Sequence, residues 1–104
     1  MTAAGSPAGA AASELFERIR GLLAPLRPLR LEIDDQSAAH AGHAGARAGA
    51  HLSLLIVSAG FEGLSRVQRH RLVYERLDPL LRGSIHALAL RLLSPQEDER
   101  ARAP

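Results

Sequence analysis

His51-Leu52-Ser53-Leu54-Leu55-Ile56-Val57 is the stretch that decides the fold. It is rich in leucine and β-branched residues and lacks a regular apolar/polar alternation. A short continuous run of this kind suits a central strand with neighbours on both sides. Toward the C-terminus, residues 58–64 contain Gly60 and Gly63 and read as a connection. Ser65 then caps a helix in which Val67, His70 or Arg71, Tyr74, Leu77 and Leu81 recur at three- and four-residue steps, with Pro79 and Gly83 ending it. Residues 85–93 alternate as a further strand: His86, Leu88, Leu90 and Leu92 on one face, Ile85, Ala87, Ala89 and Arg91 on the other. Ser94-Pro95-Gln96-Glu97 is a capping box with proline at the first helical position, and it opens a short last helix that frays into an arginine-rich tail.

Toward the N-terminus, residues 38–50 are alanine and glycine with two histidines, one arginine (Arg47) and no periodicity. A loop of that length in a compact domain is usually functional or disordered. Asp34-Asp35-Gln36-Ser37 reads as a turn, and Leu29-Arg30-Leu31-Glu32-Ile33 alternates strictly, as a half-buried strand does. Before it, Ser13 is placed to cap a helix carrying Leu15, Phe16, Ile19, Leu22 and Leu23 on one side, stopped by Pro25 and Pro28. The expected organisation is a disordered tail over residues 1–12, one domain over 13–98, and a second tail over 99–104. Its element order is α-β-β-α-β-α, an α/β chain of the α+β kind with three strands.

Composition narrows the functions. The 104 residues suffice for one small domain. All 13 basic residues are arginine, and against 11 acidic ones they leave a net charge of +2. That balance excludes bulk wrapping of a polyanion and leaves room for a local basic patch. The absence of cysteine excludes disulfides, Cys-type zinc sites and a thiol nucleophile. No apolar run reaches the roughly 20 residues of a membrane span, and the first residues lack the pattern of a secretory or transit leader. A soluble, cytoplasmic protein without membrane association is the expectation.

Two groups of side chains carry chemistry. His40 and His43 lie in the loop, and His51 and His86 open strands. Neutral imidazoles from a loop and from strand ends can converge on a metal. The plain alternative is solvated loop histidines with strand-end histidines bonded to backbone. Arg66, Arg69 and Arg71, with His70, sit on the helix after Ser65. They read either as a nucleic-acid face or as a solvated helix face, and the scarcity of aromatics to stack bases favours the second. His70, one turn before Tyr74, reads as a core histidine. Gly60-Phe61-Glu62-Gly63 has the spacing of a KH-type backbone clamp, but Glu62 repels phosphate, so a tight turn with Phe61 pinned inward is the better reading. Asp34 and Asp35 look like turn residues, and the chain is small for a ligand-burying pocket. It is read as not an enzyme and without a small-molecule substrate.

The segment Phe61-x-Gly63-x-Ser65-x-x-x-Arg69-His70-Arg71-x-Val73-Tyr74 resembles the central motif of the BolA family. The flanks agree: Leu31-Glu32-Ile33-x-Asp35-x-Ser37-x-x-His40, then His51, Ile56-Val57-Ser58 and Ile85-His86-Ala87-Leu88-Ala89-Leu90. Gln36 and Leu52 depart from it, standing where an acidic and an aromatic residue are usual. The resemblance implies a class II KH-like fold with helices on one face of the sheet. It also implies a role in iron–sulfur trafficking, in a heterodimer with a monothiol glutaredoxin that shares a [2Fe–2S] cluster. His86 and His40 would then be this chain's ligands, with His43 the alternative loop ligand and His51 a supporting neighbour. The glutaredoxin cysteine and glutathione would supply the other two, and no cofactor is expected in the isolated chain. The second function attached to the family is DNA-binding transcription regulation linked to morphology and stress, which would fall to Arg66, Arg69 and Arg71.

Overall fold

The computed structural model describes residues 7–36 and 50–103, with the side chains of the first helix from Ser13 onward. Helix α1 spans Pro7–Leu23, strand β1 Arg30–Asp35, strand β2 Ala50–Val57, helix α2 Arg66–Leu81, strand β3 Ile85–Leu93 and helix α3 Pro95–Arg102. The α-β-β-α-β-α order matches the expectation. Strand order is β1-β2-β3, so β2 is central. It pairs antiparallel with β1, from Arg30↔Val57 to Asp35↔Leu52, and parallel with β3. A parallel pair needs a crossover, and α2 supplies it.

Leu52, Leu54 and Ile56 of β2 point into a core closed by Ile19 and Leu23 of α1, Val73, Leu77 and Leu80 of α2, and Phe61. One sheet face is thereby covered by α1 and α2. Phe61 is fully buried at the end of a short 3-10 turn, Ala59–Phe61, as the tight-turn reading requires. Gly63 follows with φ 79°, a conformation that disfavours any residue with a Cβ. Ser58, which caps that 3-10 turn, is buried and fully bonded: its Oγ donates to the Leu26 carbonyl at 2.6 Å and accepts from Gly60 N at 3.0 Å.

Several boundaries differ from the sequence reading. Helix α1 begins at Pro7, a residue suited to a first turn, so Ser13 lies inside the helix and does not cap it. Asp34 and Asp35 belong to β1, paired with Ser53 and Leu52, where a turn was expected. Pro79 sits inside α2, which continues to Leu81; a proline in the last turn costs one hydrogen bond without stopping the chain there. Helix α3 runs to Arg102, beyond the expected start of a tail at residue 99, because its capping box and charges oppose fraying. Glu97 and Asp98 lie in its first turn, Arg100 and Arg102 in its last. Residues 1–6 of the expected N-terminal tail lie outside the described residues.

The largest correction concerns α2. Its buried row is Val73, Leu77 and Leu80, while Val67 is 58% and Tyr74 40% exposed. Of the row expected from apolar spacing, Val67 and Tyr74 therefore face outward, while Leu77 is fully buried and Leu81 packs partly buried against the core. Two arginines share the inward side, and each donates to a backbone carbonyl: Arg76 Nε to Leu22 O at 3.2 Å, Arg69 Nε to Leu64 O at 3.0 Å. An arginine stem covers apolar surface while its head satisfies orphan carbonyls, so a charged residue can occupy a core-facing row.

Candidate functional site

Strict alternation along β3 would put His86 in the row of Leu88, Leu90 and Leu92. The register breaks instead: Ala50 pairs with Ile85 but His51 with Ala87, leaving His86 as the extra residue of a bulge. The phase therefore flips. Ile85 is buried in the core with Leu88, Leu90 and Leu92 packed on the same side, and His86 is exposed. The bulge also brings His86 beside His51, with ring centroids 5.1 Å apart and planes inclined at 45°. His51 is half-buried, its Nε2 shielded from solvent, and its carbonyl accepts from Gln36 N at 2.7 Å.

Sheet topology gives this pair its setting. β1 ends at Asp35 and β2 begins at Ala50, opposite Leu52 and Ile85 respectively. Residues 37–49 thus leave and re-enter the described fold at the sheet end where His86 stands. His40 and His43 belong to that segment and lie outside the described residues. Among the described residues, no group of three or more His, Asp or Glu side chains gathers in metal-holding geometry. Two adjacent imidazoles, one exposed and one sheltered, are what the described residues offer a soft or borderline metal.

The arginines separate. Arg66 and Arg71 are exposed on α2. Arg69, expected on the same outward face, is only 12% exposed at its side chain. Its guanidinium forms a bidentate pair with Glu97 at 2.6 and 3.2 Å and also donates to Leu92 O at 3.0 Å. Those bonds, led by the one from Arg69 and followed by the Ser94 backbone N–H, hold the Glu97 carboxyl down from the ordinary 4.5 to about 2. Arg69 is a tie between α2, β3 and α3, and its donors are already committed. Sequence spacing missed this role; the Ser-x-x-Glu box drew attention to Glu97 as a cap but not to its partner. His70 is half-buried and not in the core, its Nδ1 2.9 Å from the Arg66 carbonyl.

The sequence model described as BolA-like protein matches residues 22–97. The chain belongs to the BolA-like family. It is 42% identical over 94 residues to BolA-like protein 1 of Mus musculus, covering 89% of this chain and 67% of that one. It is 41% identical over 71 residues to the DNA-binding transcriptional regulator BolA of Haemophilus influenzae, covering 68% and 67%. The structure of BolA1 from Arabidopsis thaliana superposes with a TM-score of 0.68 at 42% identity, covering 78% of this chain and 92% of that chain. The chain spans 61% of the length of the chloroplastic BOLA1 of that plant and 21% of its SufE-like protein 1. Among the described residues, no helix is long and apolar enough to cross a membrane.

Proposed function

We propose that this BolA-like chain is a non-enzymatic adaptor in iron–sulfur cluster assembly and trafficking, sharing a [2Fe–2S] cluster with a monothiol glutaredoxin in a heterodimer. The observation that carries the reading is His86, pushed out of the core row by the bulge, beside His51 and at the sheet end where the segment bearing His40 and His43 attaches. An exposed imidazole fixed by a strand is a pre-placed nitrogen donor. His51, with its shielded edge, orients that ring as a supporting neighbour does at metal sites. His40 supplies this chain's second nitrogen, with His43 as its substitute. A chain without cysteine has no thiolate of its own, so the glutaredoxin cysteine and glutathione provide the sulfur donors. Such a mixed nitrogen and sulfur set resembles the ligand asymmetry of a Rieske centre. The cluster is cargo, which the isolated chain does not retain. A cytoplasmic location belongs to the same proposal.

Mixing the chain with a monothiol glutaredoxin, glutathione, iron and sulfide tests this. A heterodimer whose absorption spectrum differs from that of the glutaredoxin homodimer supports the adaptor; unchanged spectrum and elution volume reject it.

A second reading is DNA-binding regulation, favoured by the name of the Haemophilus relative and by the exposure of Arg66 and Arg71. Arg69 drops out, being held by Glu97. Each phosphate contact adds about 0.9 to the log–log slope of affinity against salt on B-DNA, so a slope near zero at a candidate promoter removes this reading.

A further inference from the structure

At the other end of β3 from His86, a groove of about 420 Å³ runs between that strand and the start of α2. Leu64, Arg66 and His70 form one wall, and Leu90, Arg91 and Leu92 the other. The strand wall is an open edge. Strand order puts β3 at the sheet margin, and among the described residues no strand pairs with its outer side. The Leu93 carbonyl accepts from Ser58 N, on the β2 side, while the Leu92 carbonyl accepts from Arg69, on the other. Backbone groups alternate sides along a strand, so those of Leu88 and Leu90 share the outer side with Leu92. Proteins ordinarily blunt such edges with short strands, proline or several charges. Here the edge belongs to a nine-residue strand, Ile-His-Ala-Leu-Ala-Leu-Arg-Leu-Leu, which carries no proline and one arginine.

That arginine, Arg91, and Arg66 across the groove are both exposed, and neither has an ion-pair or side-chain hydrogen-bond partner among the described residues. The third arginine of the groove, Arg69, is neutralised by Glu97. Two uncommitted cations thus stand over a leucine-lined floor beside an unpaired strand edge. The alternation of a strand added there would place every second side chain toward Leu64 and the helix layer and the others outward beside Arg91.

We propose that this groove binds an extended acidic segment of a partner protein by strand addition to β3, with apolar residues turned toward Leu64 and the helix layer and carboxylates turned outward beside Arg91, while the cation of Arg66 on the facing wall adds to the positive field that favours an acidic segment. Main-chain bonding gives affinity, and the alternating side chains give selectivity. The site is separate from His86 and does not rest on the cluster reading.

A fluorescent hexapeptide of alternating Val and Glu, titrated by anisotropy against the whole chain, tests the proposal. Three controls accompany it: the Lys counterpart, an acidic version N-methylated on alternate backbone nitrogens, and hexathymidylate. Binding of the acidic peptide is expected, with the Leu88 and Leu90 amides gaining protection from hydrogen exchange. Affinity should fall roughly tenfold or more in Arg66→Glu/Arg91→Glu at unchanged melting temperature, as loss of rim charge complementarity predicts. It should fall as far on N-methylation, which keeps the charge and removes the donors. Failure of the acidic peptide to bind, or equal affinity for the Lys or N-methylated versions, overturns the proposal. Binding of hexathymidylate alone gives the groove to nucleic acid and overturns it too. So does a dimer of the chain whose β3 edge amides are protected without any peptide.

Discussion

Arg69 and Glu97 lie 28 residues apart in sequence and meet through two parallel N–H···O bonds of 2.6 and 3.2 Å. The same guanidinium bonds the carbonyls of Leu64, just before α2, and of Leu92 in β3, so one side chain fixes the relative positions of three elements. Bidentate arginine–carboxylate pairs are among the stronger hydrogen-bonded contacts, and this one is largely shielded on the arginine side. Arg69→Ala takes the arginine donors from two carbonyls and leaves the Glu97 carboxylate with the Ser94 N–H alone. A loss of about 2–4 kcal/mol is expected, which lowers the melting temperature by more than about 8 °C. Calorimetry of the variant checks this, and a shift of only a degree or two contradicts it.

Glu97 gives the pair a pH signature. Its carboxyl is held at about 2, below the ordinary 4.5, so the folded state binds its proton less readily than the unfolded state does. The stability this contributes is fully present above pH 4.5 and is lost as pH falls toward about 2. Glu97→Gln removes the titration. The stability gap between the natural chain and this variant should be constant at neutral pH and narrow through that acid window. Urea titrations at several pH values measure it, and a gap that does not narrow contradicts the assignment.

The bulge makes opposite predictions for adjacent residues. Ile85 is buried in the core and His86 is exposed, so Ile85→Ala should cost about 2–4 kcal/mol and His86→Ala less than about 0.5 kcal/mol. Chemical denaturation of both variants decides between the bulged register and strict alternation, which would reverse the order.

His70→Ala is expected to be mild. The ring bonds only the carbonyl one turn back and packs at 6.4 Å from the half-open Tyr74 ring, so the loss should stay under about 1 kcal/mol. A thermal shift as large as that of Arg69→Ala would place His70 in the core after all.

These contrasts show where sequence reading succeeds. The central place of β2, the Ser65 and Ser94 caps and the Phe61 turn were legible because each is a local pattern with a local cause. The buried row of α2 was legible only at Leu77; Val73 and Leu80 were missed, because Arg69 and Arg76 share that side of the helix with them. Hydropathy assigns arginine to solvent, whereas carbonyls contributed by Leu22, Leu64 and Leu92 from elsewhere in the chain draw these two inward. The bulge at His86 was invisible for a similar reason. It is fixed by pairing with Ala50 and His51, more than thirty residues away, and strand periodicity carries no trace of it. His86 was singled out by resemblance; its exposure and its nearness to His51 are visible only in three dimensions.

The most direct measurement concerns His86 itself. The mixed complex with a monothiol glutaredoxin, glutathione, iron and sulfide is prepared with this chain labelled at histidine with nitrogen-15, then reduced and examined by pulsed electron paramagnetic resonance. Nitrogen coupling from this chain's imidazoles is expected at the cluster; His86→Ala should keep its fold but abolish the mixed cluster and the coupling with it, and His40→Ala should weaken the signal without abolishing it, because His43 substitutes. A cluster without coupling to this chain's nitrogen, or one whose coupling survives unchanged in His86→Ala, contradicts the assignment of His86 as the ligand.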